Sequence, residues 1–215
     1  AEATAASLRF PDFSKNPPGL LRLYEPTKTH LIVPRSFVPW DRLKRNPNLV
    51  DRRPRDWERI RVRSHIALRD DGIQELAYRA LISTNRGRDK IIVVRCGGGK
   101  TVLALHGIAE RAVRTVIVAP ASLVPQWREE IPKFLDIESI GSIGLGKKDS
   151  VNHPIVLASL ETLARRAADG RIPDAWRTDF GLWIFDEIHS LGAPIFRLAA
   201  EIGYGERWGL TATDA

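Results

Sequence analysis

The chain has 215 residues, 43% hydrophobic and 27% charged, with a net charge of +7, the balance of a soluble globular protein with room for one full domain and a small appendage. No apolar run approaches the roughly 20 residues that span a bilayer, and the N-terminus carries no signal-peptide pattern, so no membrane partner and an intracellular location are expected. A lone cysteine, Cys96, excludes an intrachain disulfide and a cysteine-cluster metal site, and the five histidines (His30, His65, His106, His153, His189) show no ligand spacing.

Residues 1–19 hold Pro11, Pro17, Pro18 and Gly19 among polar residues and are expected to be irregular. Leu20–Tyr24 and His30–Val33 read as a strand pair joined by a turn. Charge is uneven along the chain: residues 35–63 hold ten Lys/Arg against four acids (+6), whereas 64–215 hold nineteen of each. Such a local basic excess suits a polyanion, or is simply a solvated face. Arg42–Arg55 reads as an exposed connector, and Arg59–Ile66 alternates strictly, as a half-buried strand does. A small basic β-rich module is therefore expected over 1–65.

From residue 66 the pattern changes. Ile73–Ile82 has helical spacing. Strands are then predicted at 90–95, 114–119, 154–158, 181–186 and 207–212, with helices at 100–112, 122–135, 159–168 and 193–203. Buried apolar strands alternating with helices imply an α/β fold: a three-layer parallel sheet with helices on both faces. Ligands in such sheets bind at the carboxyl ends of strands.

One of those ends carries Arg95-Cys-Gly97-Gly98-Gly99-Lys100-Thr101. Glycines let backbone N–H groups face a phosphate, and the helix that follows adds its positive end. Lys100 can then reach the β- and γ-phosphates of ATP, and the Thr101 hydroxyl can hold Mg²⁺. The full phosphate-loop pattern is not met, because its first glycine is missing, so a glycine-rich turn is the plain alternative. Cys96 reads as a small residue tolerated in the loop. Further on, Asp186 and Glu187 directly follow a buried strand. The first could hold the same Mg²⁺, and the second could orient the attacking water; starting a helix is the competing explanation. Gly209-Leu-Thr211-Ala-Thr213 places two hydroxyls at the end of another strand.

Together, Gly98-Gly99-Lys100-Thr101, Asp186-Glu187-Ile188-His189 and Thr211-Ala212-Thr213 resemble motifs I, II and III of superfamily 2 helicases and translocases. Asp186–Phe196 with Gly209–Thr213 is similar to XPB-type DNA helicases. Val118-Ala-Pro-Ala-Ser-Leu-Val-Pro-Gln-Trp127 resembles motif Ia of Swi/Snf-type double-stranded DNA translocases, with Trp127 reading as core packing. The resemblance covers about residues 66–215 and implies a RecA-like first motor domain that hydrolyses ATP with Mg²⁺. It assigns Lys100, Asp186 and Glu187 to catalysis. Nucleotide binding falls to Gly97, Gly98, Gly99, Lys100, Thr101 and Val102, with Gln74 and Arg69 at the base. Thr101 and Asp186 become metal ligands, and His189, Thr211 and Thr213 couple nucleotide state to nucleic acid. Pro120, Ala121, Ser122, Ser159 and Thr162 are assigned to strand contacts, which position without reading sequence. The usual Leu-Arg-x-Tyr-Gln is spread out here as Leu68–Gln74, without its aromatic residue.

The same resemblance places arginine fingers and a second RecA-like domain after motif III, where this chain ends. A fragment is expected, binding ATP weakly and hydrolysing it slowly without its finger. Duplex DNA is favoured over RNA on the wording of motif Ia. An RNA helicase of the same superfamily and a nucleotide-gated DNA or partner-binding module without useful turnover are the alternatives.

Overall fold

The computed structural model describes the backbone of residues 9–12, 19–22, 25–26 and 31–32, isolated residues between 42 and 54, and residues 56–69, 72–83, 89–146, 148–189 and 194–212. Two compact units result, Ala1–Val50 and Asp51–Ala215. In the first, β1 (Arg9–Asp12) pairs antiparallel with β2 (Gly19–Arg22), and β3 (Glu25–Pro26) with β4 (Leu31–Ile32). Among the described residues, the expected pairing of 20–24 with 30–33 is therefore not seen: β2 and β4 take other partners. The partner of β2 is a stretch whose prolines suggested irregular chain. Pro11 is tolerated because a two-stranded ribbon consists of edges, where a missing N–H need not break a ladder.

The alternating segment 59–66 belongs to the larger unit rather than to the N-terminal module. Its central pair β5 (Arg63–Ser64) runs antiparallel to β8 (Leu135–Asp136), and Arg59 bridges Val113. Val62 and Ile66 turn their apolar side onto the core, as the period of two requires. The two compact units divide after residue 50, whereas the sequence-based boundary lies after 65.

The larger unit is built on six parallel strands: β6 (Lys90–Val93), β7 (Thr115–Ala119), β9 (Ile140–Ile143), β10 (Ile155–Ser159), β11 (Leu182–Asp186) and β12 (Glu206–Thr211). Their spatial order is β6-β12-β11-β7-β10-β9, every pair parallel. The chain steps from β6 over two places to β7 and proceeds to the far edge at β9. It returns through β10, and β11 and β12 fill the gap. All six carboxyl ends share one rim. Helices α1 (Ile73–Ile82), α2 (Lys100–Arg111) and α3 (Val124–Phe134) pack on one face with Ile117, Ile155, Ile184, Trp208 and Leu210. On the other face, α4 (Leu160–Ala168), α5 (Asp174–Asp179) and α6 (Pro194–Ala200) cover Val116, Val156, Trp183 and Phe185. The predicted RecA-like three-layer arrangement is present, and each of the five predicted strands forms within two residues of its expected ends.

Within the six-stranded sheet and the helices on its faces, one strand and one helix had no sequence signal. Strand β9 reads Ile-Gly-Ser-Ile, too short and too polar to announce itself, and α5 spans only six residues. Close approach explains the glycine: a Cβ on Gly141 would strike the Ser150 carbonyl, with which Ser142 exchanges backbone hydrogen bonds.

Candidate functional site

The loop from β6 to α2 needs glycine at two positions for backbone reasons. Gly97 has φ +73° and Gly99 φ +90°, left-handed values that cost a side-chain-bearing residue about 1 kcal/mol or more. A Cβ on Gly99 would also collide with the Gln74 amide. That amide is buried and bridges two segments: its Oε1 accepts the Arg69 N–H at 2.9 Å, and its Nε2 donates to the Gly98 carbonyl at 3.1 Å. Gln74 therefore braces the glycine loop from the side, and Arg69 takes part through its backbone.

Helix α2 begins at Lys100, so Lys100, Thr101 and Val102 form its first turn with no acidic residue among them. The Lys100 ammonium lies 3.2 Å from Glu187 Oε1, with both side chains largely sheltered. Glu187 reaches it because its backbone is left-handed, φ +50°, immediately after β11. This strained conformation turns the chain so that neighbouring acids do not point to opposite sides, as they would in a strand. The resemblance required Lys100 and the acidic pair to converge, and they do.

Asp186 is held by two donors. Its Oδ1 accepts the Glu187 N–H at 3.0 Å, and its Oδ2 accepts the Trp127 indole N–H at 2.8 Å. Burial pushes the Asp186 carboxyl above its ordinary value; the two hydrogen bonds and Lys100 pull down, while the Glu187 charge adds to the rise. Trp127 is 2% exposed, as core packing implies, but its polar edge meets the acid.

His189 Nδ1 stands 3.3 Å from both Glu187 Oε2 and Thr211 Oγ1. It can donate to the carboxylate or, as the other tautomer, accept from the hydroxyl. Thr211 ends β12 beside Val93 of β6, so the three motif strands β6, β12 and β11 are neighbours. A Cβ on Gly209 would strike Ile188, which is why that strand position is glycine. Thr213 lies outside the described residues.

The expected strand contacts gather at the other end of the rim, after β7 and β10. Ala121 N–H donates to the Glu161 carboxylate at 3.2 Å, and Ser159 Oγ donates to the same carboxylate at 2.8 Å. Ser159 caps α4 by accepting the Thr162 N–H, and Thr162 Oγ1 donates to the Gly144 carbonyl at 3.3 Å. Pro120 and Ser122 flank Ala121 at the surface. Ala121 and Ser159 of this set thus meet on one acid, Glu161, that sequence alone does not single out. In the first turn of a helix after a serine cap, a glutamate looks like routine dipole compensation. Trp127 is hidden in the same way, because Val124, Trp127 and Ile131 form an ordinary apolar stripe.

Among the described residues no group of three or more His, Cys, Asp or Glu could cage a metal by itself. Asp186 and Thr101 offer instead a carboxylate and a hydroxyl, hard oxygen ligands suited to a divalent cation that also takes phosphate oxygens.

The chain is similar to known proteins in sequence and fold. The chain is 31% identical over 155 residues to the DNA 3'-5' helicase XPB of Kineococcus radiotolerans, matching 69% of this chain and 28% of that protein. It is 36% identical over 154 residues to the DNA 3'-5' translocase XPB2 of Sulfurisphaera tokodaii, matching 71% of this chain and 32% of that protein. It therefore spans about three-tenths of the length of these relatives. The fold resembles the UvsW helicase from bacteriophage T4, with TM-score 0.60, 17% identity, and coverage of 99% of this chain and 85% of that one. It also resembles the Sulfolobus solfataricus SWI2/SNF2 ATPase core solved in complex with dsDNA, with TM-score 0.52, 18% identity, and coverage of 69% and 32%. Residues 58–214 match the family described as the res subunit of type III restriction enzymes, and to that family the chain belongs.

Proposed function

We propose that the chain is the ATP-binding first motor domain of an intracellular DNA helicase or double-stranded DNA translocase. The observation that carries this reading is the meeting of Lys100 and Glu187 at 3.2 Å beside the doubly held Asp186 carboxylate, on the rim where a parallel sheet binds ligands. The names of the XPB relatives support DNA as the partner. The second RecA-like domain is assigned to the longer protein of which such relatives are examples.

The roles follow from position. Backbone N–H groups of the Gly97–Gly99 loop and the α2 N-terminus receive phosphates, and Lys100 supplies the charge for the terminal ones. Thr101 and Asp186 hold Mg²⁺, which when bound neutralises charge developing on the phosphate oxygens. Glu187 orients the attacking water, its carboxylate kept in place by His189. Gln74 and Arg69 are assigned to the base. Pro120, Ala121, Ser122, Ser159 and Thr162 are assigned to the backbone of a DNA strand, and the basic 35–63 segment to non-specific electrostatic attraction. His189 and Thr211, with Thr213, connect the two ends.

The test is phosphate release from ATP in the presence of duplex DNA, single-stranded DNA or RNA, measured on the protein with its second motor lobe. Duplex DNA should stimulate most, and Lys100→Ala and Glu187→Gln should each abolish the stimulated rate. Stimulation that survives both substitutions would end the enzymatic assignment.

A further inference from the structure

Trp127 sits on α3, 59 residues from Asp186 in sequence, yet donates its indole N–H to Asp186 Oδ2 at 2.8 Å. The other oxygen is held by the adjacent Glu187 N–H. A carboxylate gripped at both oxygens by N–H donors has its plane and rotamer fixed. The Glu187 N–H comes from the next residue and travels with the acid. The Trp127 N–H comes from a separate helix whose ring is buried among Leu103, Ile131 and other residues of the α1–α3 face, so it is the external reference against which the acid is aligned. Packing alone does not explain an indole at this position, since a phenyl ring would fill much of the same space without an N–H.

We propose that Trp127 is a positioning residue for the metal carboxylate, setting through its N–H how strongly Mg²⁺ tightens nucleotide binding. This rests on the reading of Asp186 as a Mg²⁺ ligand. Outer-shell partners of metal ligands typically change metal affinity by about 10–100-fold when removed, and Trp127 holds one of the two Asp186 oxygens at the half-buried end of β11.

The experiment uses the full chain and a fluorescent ATP analogue, comparing the Kd in excess Mg²⁺ with that in EDTA. The ratio of the two is the readout, and no turnover is needed. Wild type should bind more tightly with Mg²⁺. Trp127→Phe should reduce that gain about tenfold, with little change of affinity in EDTA. Trp176→Phe, at a buried tryptophan on the opposite face of the sheet, should leave the ratio unchanged. Should Trp127→Phe lower the melting temperature into the assay range, Trp127→benzothienylalanine keeps the bicyclic shape and replaces only the N–H with sulfur. The same loss is expected there. A Mg²⁺ gain equal to wild type in the folded Trp127 variant overturns the proposal and leaves the site reading intact. A wild type that binds ATP equally in Mg²⁺ and EDTA overturns the metal reading itself, and the role of Trp127 with it.

Discussion

Lys100 and Glu187 are 87 residues apart and form a largely sheltered ion pair at 3.2 Å. Each is delivered by a glycine-like backbone event: the left-handed Gly99 immediately before Lys100, and the left-handed Glu187 itself. The pairing fixes the sign of the first prediction. Glu187→Gln removes the carboxylate charge but keeps the side-chain length, so ATP binding should persist while turnover falls by about 10²–10⁴. Phosphate release measured beside equilibrium nucleotide binding separates the two. Parallel loss of both would place Glu187 in structure rather than in catalysis.

Gly99→Ala should cost nucleotide affinity more than fold. The added methyl meets the Gln74 amide and forces φ +90° on a residue with a Cβ, a strain of about 1–2 kcal/mol. Relief comes by reshaping the loop, which moves the N–H groups expected to receive phosphate. Thermal melting should shift by only a few degrees, whereas fluorescent-nucleotide binding should weaken at least tenfold.

Glu161→Ala should strengthen binding to DNA. The substitution releases the Ala121 N–H and the Ser159 hydroxyl, both held by that carboxylate, and removes a surface charge that repels phosphate. The side chain is exposed, so the gain is about two- to fivefold. Each further phosphate neutralised steepens the log Kd against log salt slope by about 0.9. Unchanged affinity and slope would remove the strand from this end of the rim.

Gly107→Ala, normally a stabilising change in a helix, should destabilise here. A Cβ at Gly107 would stand 2.7 Å from the Trp208 ring and 3.2 Å from Leu81, and Trp208 is fully buried. Overpacking costs about 1–3 kcal/mol against a helix-propensity gain of about 1. Urea unfolding of the larger unit should show a lower midpoint at constant slope.

Glu206 should govern part of the acid sensitivity. Burial alone would push its carboxyl up, but the Arg111 guanidinium, the Trp208 indole N–H and the Lys90 ammonium hold it below its ordinary 4.5. A carboxyl lowered by folding contributes stability that is complete at neutral pH, fades as pH falls past 4.5, and is gone below the folded value. Glu206→Gln should therefore lower stability at pH 7 and flatten its decline on acidification. Glu206→Leu, which leaves Arg111 and Lys90 without their shared acid, should cost about 3 kcal/mol.

The sequence made legible whatever is written locally. The β-branched run before Gly97, the acids after Leu182–Phe185 and the threonine closing β12 each announce a strand end, and parallel topology puts strand ends on one rim. Hidden from it were pairings that depend on three-dimensional neighbours. Trp127 and Glu161 have ordinary places in their own helices, and only the order β11-β7-β10 brings them against Asp186 and Ala121. The pairing of 9–12 with 19–22 was hidden because prolines argue against strands unless both strands are known to be edges. Segment 59–66 showed its alternation but not its partner, since nothing in a strand's pattern says which edge it joins.

The strand order has a mechanical corollary. β11, which ends in the acidic pair, is hydrogen-bonded directly to β7, which ends at the Pro120–Ser122 turn, with Phe185 opposite Val118. Adjacent strands lie about 4.8 Å apart and are tied by a ladder too stiff to slip gradually. The turn after β7 and the acids after β11 therefore leave the sheet from adjacent strands, so under the proposed roles the strand-contact end and the nucleotide end share one hydrogen-bonded seam.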